Sequence, residues 1–123
     1  MPLNYLLFDH SEDTEGVHTF EAMASVGPGH WPQVQAEVAQ VLQWAHRQFR
    51  GERGPLDEGG DWDYELQGVH EVASAWALRF NERTGSLEAE LGAPGQPRHT
   101  ATLTLTGHDG FAQAFLGAFP SDD

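Results

Sequence analysis

One stretch of this chain repeats with the period of a helix, while most other apolar stretches repeat with a period of two; that contrast fixes the fold class. From Trp31 to Phe49 the residues Val34, Val38, Val41, Leu42 and Ala45 recur at helical spacing, and Gln33, Gln35, Gln40, Gln43 and Arg47 fall outside the stripe. The pattern predicts an amphipathic helix of about five turns. Pro32 suits its first turn. Arg47 and Arg50 lie where the helix dipole favours cations, and Gly51 follows as a C-terminal cap.

Elsewhere alternation rules. Phe20, Ala22, Ala24 and Val26 face one way and Thr19, Glu21 and Ser25 the other, with Met23 interrupting the polar side and predicting partial cover there. Residues 3–8 read as the partner strand, joined to 17–26 by an acidic hairpin loop at 9–16. Trp62, Tyr64 and Leu66 alternate with Asp63, Glu65 and Gln67, and Gly68 marks a bulge or an end. Residues 69–80 fit either period. The turn chemistry of Asn81 through Gly85 decides for a hairpin of 75–81 and 86–91. Thr100, Thr102, Thr104 and Thr106 alternate with Ala101, Leu103 and Leu105, and Phe111, Phe115 and Phe119 give a closing helix stopped by Pro120.

The order is β-β-α-β-β-β-β-α. It predicts an α+β, two-layer sandwich: an antiparallel sheet of about six strands with two helices on one face. One domain covers 1–123, with 121–123 expected to fray.

Charge narrows the partners. All six cations are arginine, Lys and Ile are absent, and the net charge is −13. Missing lysines point to a GC-rich bacterial coding bias, which accounts for part of the acidity. The charge is also placed. Residues 1–30 carry five acids and no cation, 51–71 carry seven acids against Arg53, and 72–98 are balanced. Such a surface repels phosphate backbones and anionic membranes, so neither nucleic acid nor membrane is an expected partner. No stretch has the length of a membrane span, and the start lacks a basic segment, so the expectation is a cytoplasmic, soluble protein.

Counting strand directions along the predicted order brings the loops 9–16 and 51–61, the turn 81–85 and the helix entry 107–109 to one end of the sheet. The candidate binding residues there are His10, Glu12, Asp13, Asp57, Glu58, Asp61, Trp62 and Tyr64. Aromatic rings framed by acids suit an Arg- or Lys-rich partner, though Trp62 and Tyr64 are explained more simply as cover for the sheet under the long helix. No serine stands in a nucleophile motif. The carboxylate spacing around Gly59 and Gly60 is not that of an EF-hand. The histidines lack the spacing of a zinc motif, and there is no cysteine to assist; His18, His46 and His99 read as boundary or surface positions. No catalytic residue, metal ligand or cofactor is assigned. In size and acidity the chain is similar to secretion chaperones and immunity proteins, a likeness of composition alone. The leading expectation is a non-enzymatic protein-interaction module with a basic partner at the acidic end. The alternatives are an enzyme or binding protein for a small cation or divalent metal at that end, or a homodimer through a sheet edge or the Thr-rich face.

Overall fold

In the computed structural model, which describes residues 2–120, alternation and helical period become strands and helices in the expected order. The tail 121–123 lies outside the described residues. The strands are β1 (Asp9–Glu12), β2 (His18–Val26), β3 (Trp62–Glu71), β4 (Trp76–Asn81), β5 (Ser86–Leu91) and β6 (Arg98–Gly107); the helices are α1 (Trp31–Gln48) and α2 (Asp109–Ala118). The architecture is α+β and every strand pairing within a sheet is antiparallel. The single expected sheet is divided: four strands pair in the order β1-β2-β6-β3, and β4 and β5 form a hairpin of their own.

The period-two pattern sorts the four-stranded sheet into a buried and an open face. Phe20, Ala22 and Ala24 of β2 and Ala101, Leu103 and Leu105 of β6 are buried beneath Val34, Val38, Val41 and Ala45 of α1 and Phe111, Ala112 and Phe115 of α2. Thr19, Glu21, Met23 and Ser25, with the threonines of β6, take the opposite face. That face is open, and Met23 is 67 % exposed, so the expected cover over it is absent among the described residues. Trp44 lies off the main helical stripe and closes the gap between the helices, its ring 5.5–6.1 Å from those of Phe49, Phe111, Phe115 and Phe119.

Residues 3–8 are not a strand; pairing starts at Asp9, opposite Glu21. The reason is Glu37, which shares the buried face of α1. Its carboxylate, 8 % exposed, accepts the backbone N–H groups of Asn4 (2.8 Å), Tyr5 (2.9 Å) and Leu6 (3.1 Å). Donors that a ladder would use are thus bound to a helix side chain, and Leu6 enters the core from a non-strand segment.

A second departure reorganises one end of the molecule. β3 does not stop at Gly68 but pairs with β6 from Trp62↔Gly107 to Glu71↔Arg98. The chain then runs on without reversing. Gly95 N–H donates to the Ala73 carbonyl and Gly92 N–H to that of Ala75, both at 2.8 Å, and β4 pairs with β5 from Trp76↔Leu91 to Asn81↔Ser86. β3 and β4 are successive parts of one long ribbon, as are β5 and β6. The 81–85 turn, with Arg83, is therefore carried past the far end of the sheet and does not join the acidic loops. No Gly, Pro or Asn stands between Val69 and Phe80 to turn the chain back.

Candidate functional site

The remaining segments do converge. His18 and Trp62 both pair with Gly107, from opposite sides of β6. Three strand ends therefore meet there, and α2 begins two residues later. The 13–17 turn caps one edge: Asp13 Oδ1 accepts the N–H groups of Glu15 (2.8 Å) and Val17 (2.9 Å). The 51–61 loop caps the other, and its last carbonyl, Asp61, accepts the N–H of His108 at 3.2 Å.

That loop is more ordered than its run of chain-breaking residues suggests. A 3-10 turn, Leu56–Glu58, sits in its middle, and the Gly60 and Glu58 N–H groups both donate to the Pro55 carbonyl at 3.0 Å. Gly60 passes so close to Gly54 that a Cβ there would lie 2.1 Å from the Gly54 oxygen. Asp57, Glu58 and Asp61 point outward and are exposed. Arg53 is held instead at the base of the loop. Its Nε donates to Asp63 Oδ1 at 2.8 Å and its guanidinium lies 4.7 Å from the centre of the Tyr64 ring.

At the opposite edge, cross-strand register assembles a cluster that linear spacing conceals. His10 and Glu12 of β1 stand on the face shared by His18 and Phe20 of β2. His10 Nε2 is 2.9 Å from His18 Nδ1, and the His10 ring stacks on Phe20 at 4.4 Å. His18 is 5 % exposed. Its Nε2 lies 2.6 Å from Asp109 Oδ1 in the first turn of α2 and 3.9 Å from Glu12 Oε2. The ligand atoms of Glu12, His18 and Asp109 all fall within 4.8 Å of one another.

Of the sequence-derived candidates, His10, Glu12 and Asp13 gather at the β1–β2 edge and Asp57, Glu58 and Asp61 at the β3 edge. Three strand spacings, roughly 14 Å, separate the two edge strands. The two groups share an end without forming one cluster. Trp62 is removed from the surface: it is 0 % exposed, stacks on Phe111, and donates its Nε1–H to the Phe49 carbonyl at 3.3 Å. Tyr64 is half-buried beside it. His18, expected at a boundary, is the centre of its cluster. Parity marked it, since it falls two residues before Phe20 on the inward face. No family model, curated protein or solved structure matches the chain.

Proposed function

We propose that the chain is a non-enzymatic protein-interaction module that presents its acidic end to a basic partner. The observation that carries this reading is the spread of carboxylates. Glu12, Asp13, Glu15, Glu52, Asp57, Glu58, Asp61 and Asp109 come from three separate parts of the chain and reach one end of one sheet, all of them exposed. Against them stand Arg47, Arg50 and the engaged Arg53. Acids distributed across the full width of a sheet suit an extended Arg- or Lys-rich segment better than a single small ion, and charge of this kind steers association and sets partner choice.

The test is an oligoarginine peptide titrated at low salt against two charge-matched variants. One carries Glu12→Gln, Asp13→Asn, Asp57→Asn and Glu58→Gln; the other carries Glu21→Gln, Glu65→Gln, Glu71→Gln and Glu90→Gln, away from the end. The first should bind about tenfold more weakly or worse, and the second should stay close to the parent. Equal losses in both would reduce the end to part of a general negative field.

A second reading, a divalent cation at Glu12, His18 and Asp109, is favoured by the His18 ring. In the tautomer that donates Nδ1–H to His10, the Nε2 lone pair would face both carboxylates and need a cation between them, as in the second-sphere arrangement of many metal-bound histidines. Zn²⁺ or Mn²⁺ should then raise the melting temperature of the parent and not that of Asp109→Asn. An unchanged parent melting temperature removes this reading.

A further inference from the structure

We infer that two copies of this chain associate through the apolar face of the β4–β5 hairpin, at the opposite end from the acidic loops and independently of what those loops bind. Register puts Trp76 across from Leu91, Leu78 across from Ala89, and Phe80 across from Leu87. Six apolar side chains therefore share one face. The other face satisfies itself: Arg79 Nη2 lies 3.0 Å from Glu88 Oε1, and Asn81 donates to Glu88 Oε2 at 3.2 Å.

Nothing within the described residues buries the apolar face. Trp76, Leu78, Phe80, Leu87 and Leu91 are 56–61 % exposed, while both helices are committed to the four-stranded sheet. Those five side chains expose on the order of 500 Å² per copy, within the roughly 300–600 Å² of a monomer's largest apolar patch, which is often functional. A two-stranded hairpin is also marginal in water unless something packs on it.

Area and charge select a second copy as the occupant. The chain exposes 8370 Å², against about 6500 Å² for a compact monomer of its mass. The excess, on the order of 1800 Å², is more than the roughly 800 Å² each partner contributes to a standard interface. A chain of net charge −13 self-associates at least cost where it is neutral, and in the arm, residues 72–98, Arg79, Arg83 and Arg98 balance Glu82, Glu88 and Glu90. A regular face of apolar pairs meets its own copy across a two-fold axis, the isologous contact of most dimers.

The experiment is sedimentation equilibrium of the full chain at micromolar to submillimolar concentration, with near-ultraviolet circular dichroism reporting the core around Trp62. The parent should sediment at twice its 13.5 kDa mass. Leu78→Asp and Phe80→Ser should each sediment as monomers with the core signal kept, and Met23→Asp, on the open sheet face, should remain dimeric. A parent monomeric throughout, including one whose arm captures a different protein, overturns the proposal. So does a dimer that survives both arm variants or is broken by Met23→Asp. Loss of the core signal in both arm variants also counts against it, since the arm would then belong to the monomer's own fold.

Discussion

Glu37 does more for the fold than its identity suggests. A charged residue three positions after Val34 and four before Val41 sits squarely on the buried stripe of α1, and it is accommodated because three backbone N–H groups surround its carboxylate. Hydrogen bonds to a charged group contribute about 1.5–3 kcal/mol each at most, and the donors left behind carry a desolvation cost. Glu37→Ala should therefore lower unfolding free energy by roughly 2–4 kcal/mol in urea, and Glu37→Gln by less, because the amide oxygen keeps part of the acceptor set. An unchanged urea midpoint for Glu37→Ala would contradict the anchoring role. This anchor was not legible in the sequence: its partners are backbone groups, which carry no residue signature. The parity of β2 carries the inward placement of His18, which the expectation of a boundary position passes over, and its ligand-like neighbours Glu12 and Asp109 depend on register and on where α2 begins.

At the scale of elements, periodicity accounts for most of the helices and strands and fails in one place. The helix 31–48, the β2 and β6 alternations and the closing Phe111, Phe115 and Phe119 edge all follow from spacing, because burial on one face is what those periods encode. The path between Val69 and Phe80 did not follow. The expected reversal rests on counting β3 and β4 as separate strands of opposite direction, and Gly68, expected as a bulge or an end, sits within β3 opposite Ala101, where its missing Cβ meets nothing closer than 3.9 Å. Nor does alternation in β4 and β5 say whether their apolar face has a cover, since a strand beneath a helix and a strand on an arm read alike. Glycine has a definite role in the 51–61 loop. Gly60→Ala should cost roughly 1–3 kcal/mol through the clash with Gly54, with amide shifts confined to residues 52–62. A variant with parent stability and unshifted loop amides would show that the close approach is not kept in solution.

The whole molecule has two unlike ends built on one ribbon. The proximal half of that ribbon joins the four-stranded sheet and carries acidic loops at its outer margin; the distal half leaves the sheet as a neutral, apolar arm. No helix among the described residues is long and apolar enough to cross a membrane. With the arms paired, a dimer would carry two acidic ends, and a multivalent basic surface would engage both. Loss of the arm contact should then weaken binding to a multivalent basic surface more than binding to a single peptide, through effective concentration alone. Surface plasmon resonance of the parent and Leu78→Asp on a dense arginine-rich layer checks this, and equal retention of the two would argue against paired ends. The central claim, that the acidic end is the recognition surface, is tested most directly by mapping amide shifts of the isotope-labelled protein as an arginine-rich peptide is added. Perturbations concentrated at residues 9–17, 51–63 and 107–110 are the expected result; shifts spread evenly over the acidic surface, or centred on the Thr-rich face of β6, would contradict it.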